Sequence, residues 1–217
     1  MELSTEGIAI YPRLRMVDID RIFEGHASSC GIARVSTGIT GIDSMLDGGF
    51  LCGTMNLVAG HPGTGKSVIA QHFLNAGLQA SETCLLLSIR NTPDQVLAQA
   101  SRLNMDWSEA YADGRLRILH FHPTDLCVDK MLTKLVESIR AACPRRLVFD
   151  SIDDLWTAAS EEDLVRGNIL VLARMFEAAG TTSIMLNEMH QQGTESPGGL
   201  DYARLAKIGR ASCRERV

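Results

Sequence analysis

Residues 60–67 read Gly-His-Pro-Gly-Thr-Gly-Lys-Ser, the residue types and spacing of a loop built to hold phosphate. Gly60, Gly63 and Gly65 admit backbone angles closed to other residues, and they let phosphate oxygens approach successive amide N–H groups. The dipoles of those groups add to the positive end of a helix that follows. Lys66 offers a point charge to the outer phosphates, and Ser67 offers a hydroxyl oxygen to Mg2+. His61, Pro62 and Thr64 fill the positions that the pattern leaves free. The pattern carries this meaning only between a strand and a helix. It stands there, because residues 54–59 are an apolar run and residues 67–80 have helical periodicity. A nucleoside triphosphate is the ligand these residues fit.

A carboxylate that orders Mg2+ belongs opposite such a loop. The apolar run Leu147-Val148-Phe149 ends in Asp150-Ser151, and an acid at a strand end is held rigidly enough to bind the ion through water, facing Ser67.

The elements that must position these groups alternate along the chain. Residues 36–50 read as a short helix capped near Thr40 and ended by Gly48-Gly49. Strands are expected over 83–89, 116–121, 146–150 and 182–186, and helices over 128–142 and 161–179. Thr92-Pro93-Asp94-Gln95 has the form of a capping box with proline at the first helical position, so a further helix should run to residue 103. Asp106 with Glu109 repeats the device for a shorter one. Strands joined by helices of this length need crossover connections. The expected fold is therefore three-layer α/β, with a mainly parallel sheet and a ligand crevice at the carboxyl ends of its strands.

With 217 residues, 45% of them hydrophobic, the chain can fill the core of one such domain. Residues 1–34 are read apart, as an arm or adaptor in which Leu14, Val17, Ile19, Ile22 and Phe23 fit one or two helical turns. The apolar runs are too short to span a membrane, and residues 1–7 lack the basic start and apolar centre of a signal peptide, so a cytoplasmic protein is expected. A net charge of −5 argues against duplex binding driven by counterion release. The six cysteines, with no C-x-x-C pair, read as reduced core residues. His120 and His122 alone are too few ligands for a metal, and Trp107 and Trp156 read as packing residues with one polar edge exposed.

The order and spacing of several motifs resembles the KaiC branch of the RecA-like P-loop ATPases over residues 35–206. The motifs are residues 36–43 (Ser-Thr-Gly-Ile-Thr-Gly-Ile-Asp), Gly48-Gly49, the loop ending Gly65-Lys66-Ser67 and the strand ending Asp150-Ser151. The resemblance implies a RecA-like core that binds ATP and Mg2+, in a ring such as a hexamer with the nucleotide between neighbouring subunits. One departure bears on catalysis. The family has Phe-Glu-Glu followed by Ser-Pro after the phosphate-loop helix, and those glutamates polarise the attacking water. Here the stretch is Ile89-Arg90-Asn91-Thr92-Pro93. Asn91 can orient a water but is a poor proton acceptor, and Arg90, if it points inward, attracts phosphate without activating the nucleophile. Asp94, Asp153, Asp154 and Glu188 also fall near strand ends, and of these Glu188 is the candidate to face the crevice and replace the missing base.

The residues and the resemblance leave three functions open. The first is a slow or degenerate ATPase serving as a nucleotide-dependent signalling or assembly module. The second is a competent hydrolase that uses Glu188 or a partner's acid. The third, disfavoured by charge, is a recombinase-like DNA-binding protein. Residues 207–217 (Lys-Ile-Gly-Arg-Ala-Ser-Cys-Arg-Glu-Arg-Val) resemble the conceptual translation of a sequencing-library adapter, so a non-native tail and a C-terminally truncated domain are expected.

Overall fold

The computed structural model describes residues 2–4, 7–9, 11, 13–24, 32–122, 126–154 and 162–189. The proposed tail, Trp156, Cys30 and Cys213 lie outside them. Strands β1 (Glu2–Ser4) and β2 (Gly7–Ala9) form an antiparallel pair ahead of helix α1 (Met16–Ile22). A second antiparallel pair, β3 (Arg34–Val35) and β4 (Phe50–Leu51), brackets α2 (Thr40–Met45). The alternating core follows: β5 (Met55–Gly60), α3 (Lys66–Gln79), β6 (Cys84–Ser88), α4 (Pro93–Arg102), α5 (Ser108–Ala112), β7 (Leu116–His120), α6 (Val128–Ala142), β8 (Arg146–Asp150), α7 (Glu162–Ala178) and β9 (Thr182–Glu188).

The five core strands are parallel, in the order β5-β9-β8-β6-β7. Side chains alternate across a strand, so each strand divides its residues between two cores. Leu85, Leu87, Leu147, Phe149 and Met185 pack with α1, α6 and α7 through Ile19, Leu132, Leu135, Leu172 and Phe176. Cys84, Leu86, Val148, Ile184 and Leu186 pack with α3, α4 and α5 through Phe73, Leu74, Val96 and Trp107. The strands are thus apolar on both faces, as a parallel sheet covered by helices on both sides requires. The segment read as an arm is partly structural, because Ile19 and Phe23 belong to the first core and Asp20 accepts a bond from Arg174 of α7 at 2.7 Å.

The chain leaves β6 outward to β7 and leaves β8 inward to β9, so the direction of winding reverses between β6 and β8. A crevice at the carboxyl ends of strands opens at such a reversal. Those ends carry Ser88 and Asp150, which are register partners.

Several local expectations are corrected. Helix α2 is not capped at Thr40. Its N-cap is Ile39, without a side-chain bond, and Asp43 instead reaches back to accept from Ser36 Oγ (2.6 Å), Thr37 N (2.7 Å) and Thr37 Oγ1 (2.7 Å). Burial alone would raise the pKa of Asp43, but these bonds outweigh it and hold the carboxyl below its ordinary value. Asp106 accepts from Ser108 N at 3.0 Å, while Trp107 takes the N-cap position of α5 and no capping box forms there. Trp107 has no exposed edge; it is 2% exposed and its Nε1 donates to Asn75 Oδ1 at 3.1 Å. The cysteines do not share one environment: Cys84 is buried, Cys127 and Cys143 are exposed, and Cys52 is disulfide-bonded. The capping box at Thr92 forms as expected, with Thr92 N donating to Gln95 Oε1 at 2.9 Å and Thr92 Oγ1 accepting from Gln95 N at 3.4 Å.

Candidate nucleotide-binding site

The loop lies between β5 and α3, as its motif demands. Gly63 and Gly65 have φ of 79° and 88°, a left-handed conformation that a side chain would strain. Gly65 is the N-cap of α3, so the turn runs directly into the first unpaired N–H groups of the helix. Lys66 Nζ donates to Gly60 O and His61 O, both at 2.8 Å, and lies folded across the loop. The loop is tied to the end of β9, because Met189 N donates to Gly60 O at 3.0 Å and His61 Nδ1 lies 2.7 Å from Met189 O.

Ser67 and Asp150 come together as expected. Ser67 Oγ donates to Asp150 Oδ2 at 3.4 Å, although β9 lies between β5, which leads into the loop, and β8 in the sheet. The contact forms because α3 crosses over β9 and β8. Burial raises the pKa of Asp150, and the charge of Asp154 adds to the rise, against the Ser67 hydrogen bond and the charges of Arg90 and Lys66. A carboxylate in that state gains from a cation beside it. Burial raises Asp153 in the same way.

Arg90 and Asn91, at the positions of the expected glutamates, follow β6. Asn91 is oriented by a chain of amides: Gln71 Nε2 donates to Gln99 Oε1 (3.3 Å), and Gln99 Nε2 donates to Asn91 Oδ1 (3.4 Å). Asn91 lines a cleft with Ser67, Ser88 and Asp150, and its oxygen already accepts one bond there. Arg90 forms ion pairs with two acids, Nε to Asp154 Oδ1 at 3.0 Å and Nη1 to Glu188 Oε2 at 3.5 Å. The bond to Asp154 is the main cause that keeps its guanidinium charged above the ordinary arginine value. Glu188, the candidate replacement base, is therefore paired with a cation, and its backbone N–H donates to Asp153 Oδ2 at 2.7 Å. Asp94 lies in the first turn of α4, where its charge faces the positive end of the helix.

The pairing of Arg90 with Asp154 and Glu188 is what sequence reasoning missed. No local pattern signals it, because the partners are 64 and 98 residues away and meet only through the strand order. Among the described residues no group of three or more His, Cys, Asp and Glu is arranged to hold a metal by itself, and His120 Nδ1 lies 3.3 Å from Ser88 O. No helix among them is long and apolar enough to cross a membrane.

A parallel sheet with helices on both faces, and a glycine-rich Lys-Ser loop between its first strand and the following helix, defines a RecA-like P-loop domain. The family model of the KaiC ATPase matches residues 35–203, and the chain belongs to that family. It is 27% identical over 186 residues to a UPF0273 protein of Methanopyrus kandleri, an alignment covering 77% of this chain and 72% of the relative. It is 31% identical over 159 residues to the circadian clock oscillator protein KaiC of Parathermosynechococcus lividus, covering 73% of this chain but 28% of that longer protein. The crystal structure of a KaiC-like protein from Pyrococcus horikoshii superposes with a TM-score of 0.69 at 26% identity, covering 79% of this chain and 77% of that one.

Proposed function

We propose that this domain binds ATP with Mg2+ and turns it over slowly or not at all, acting as a nucleotide-dependent assembly or signalling module. Gly60, His61, Pro62, Gly63, Thr64, Gly65, Lys66 and Ser67 hold the phosphates, and Ser67 and Asp150 hold the ion, Asp150 through water. The loop geometry, the contact of Ser67 with Asp150 and the family of the chain support the binding half of this reading. The observation that carries the slow half is that the expected base positions hold Arg90 and Asn91 while Glu188 is engaged by Arg90. An arginine cannot take a proton, and an amide whose oxygen already accepts a bond is no base. Loss of a positioned base costs about 10²- to 10⁴-fold in rate. A ring in the cytoplasm, with neighbours completing each site, is the assembly this reading implies.

Calorimetry with Mg-ATP, followed by phosphate release over hours, tests it. Binding that disappears in Lys66→Ala is expected, with release rising when Arg90→Glu and Asn91→Glu are introduced together. Fast release from the unaltered protein that is lost in Glu188→Gln would overturn the slow reading in favour of Glu188 as the base.

A further inference from the structure

Arg90 is placed to do more than mark a lost base. Its side chain is 56% exposed and is held by one good hydrogen bond, to Asp154, and one at the limit of bonding, to Glu188. Glu188 is the register partner of Gly60, the first residue of the loop, and the residue after it is bonded to Gly60 and His61. The guanidinium thus stands beside the loop's mouth, within electrostatic reach of Asp150.

Among the described residues, charge at this end of the sheet is unbalanced. Asp150, Asp153, Asp154 and Glu188 gather there, and Arg90 and Lys66 are the cations whose contacts place them among those acids and the loop. A phosphoryl group arriving there competes with the carboxylates for Arg90. It is also the better partner, since a guanidinium can meet two phosphate oxygens at once and several of its N–H groups are not used by Asp154 and Glu188. Asp154 keeps a second bond, from Ser151 Oγ at 3.3 Å, when Arg90 leaves it.

We propose that Arg90 is a specificity residue for the terminal phosphate: it exchanges Asp154 and Glu188 for the γ-phosphate and so distinguishes nucleoside triphosphate from diphosphate by binding. The proposal rests on the nucleotide-binding reading above. A catalytic glutamate at this position would repel the γ-phosphate that an arginine holds. The substitution that removes the base therefore adds a sensor of nucleotide state that needs no hydrolysis.

The test is calorimetry with a non-hydrolysable ATP analogue and with ADP, each with Mg2+, on the unaltered protein and on Arg90→Ala, Arg90→Lys and Glu188→Gln. In Arg90→Ala the dissociation constant of the analogue should rise about tenfold to a hundredfold, the loss of one charge-assisted contact, while that of ADP changes by less than about twofold. Arg90→Lys, which keeps a charge on Asp154, should recover part of the loss. Glu188→Gln should tighten the analogue, because it removes a competitor for Arg90. Equal weakening of both nucleotides, or no change in either, overturns the proposal, and so does a Glu188→Gln variant that binds the analogue no more tightly. An unaltered protein that binds neither nucleotide sinks the nucleotide-binding reading and this proposal together, whereas preserved ADP binding separates the two.

Discussion

Two arginines paired with acids stand at opposite ends of the same sheet, and they do opposite work. Arg146 opens β8 at the amino end. Its side chain is 5% exposed, and it donates to Glu82 Oε2 (2.6 Å), Ser36 O (2.6 Å) and Phe73 O (2.8 Å) while its guanidinium lies 4.8 Å from the Phe73 ring centroid. It passes so close to α3 that a Cβ on Gly77 would sit 2.5 Å from its Cδ, which is why that helical position is glycine. Arg90, at the carboxyl end, is half exposed and holds one carboxylate at 3.0 Å and a second only at 3.5 Å. A buried charge must have every bond satisfied and becomes a fixed joint, whereas an exposed one keeps spare donors and can change partners. The amino end of this sheet is built to stay in place, and the carboxyl end is built to respond.

Substitution breaks or sharpens that contrast. Arg146→Ala should cost about 3–5 kcal/mol in urea denaturation, because it strands Glu82 and two backbone carbonyls. A loss no larger than that of an exposed arginine would show the joint to be dispensable. Asp43→Ala, which removes the acceptor tying Ser36 and Thr37 to α2 beside that joint, should cost about 2 kcal/mol. The pH sign follows from the lowered pKa of Asp43. Its contribution is present above the unfolded carboxylate value and is lost as pH falls through the lower folded value. The variant should therefore show a flatter acid limb in its stability profile.

At the responsive end the sign reverses. The pKa of Asp150 is raised chiefly by burial, so the folded state binds its proton more tightly than the unfolded one and stability falls as pH rises through that interval. Where the group is ionised, it costs folding energy. Asp150→Asn should then stabilise the protein by about 0.5–1 kcal/mol without Mg2+ and should abolish any stabilisation that added Mg2+ gives the unaltered protein. A destabilised variant would mean that the Ser67 contact outweighs the burial. Arg90→Ala should have the smallest effect on stability, below about 1 kcal/mol, because the arginine side chain is itself more than half exposed and the buried Asp154 keeps its bond from Ser151 Oγ. A midpoint shift as large as that of Arg146→Ala would make Arg90 a structural joint and remove the contrast.

The site divides in the same way between what is legible in sequence and what is not. The loop at residues 60–67, the strand ending at Asp150 and the capping box at Thr92 are readable because each depends on neighbours in the chain: glycine angles, alternation and caps are local properties. The substitution of Arg90 and Asn91 for the expected glutamates is equally visible. Their roles are not, because Arg90 meets Asp154 and Glu188 only where β6, β8 and β9 end side by side, and Asn91 is aimed by Gln99 and Gln71 from two different helices.

The same limit explains the local errors. Asp43 was readable as part of a helix but not as the acceptor for Ser36 and Thr37, which precede it by a turn outside the helix. Trp107 was readable as a packing residue, while the burial of its polar edge depends on Asn75 arriving from α3. Sequence alone determined that strands and helices alternate around a phosphate loop and that the usual base is missing, since those features follow from residue type and short-range spacing. Only the tertiary structure decided which acids Arg90 and Arg146 meet and which of the two stays exposed. Long-range electrostatic partners are set by strand order and burial, and neither is written in the local sequence of any one strand.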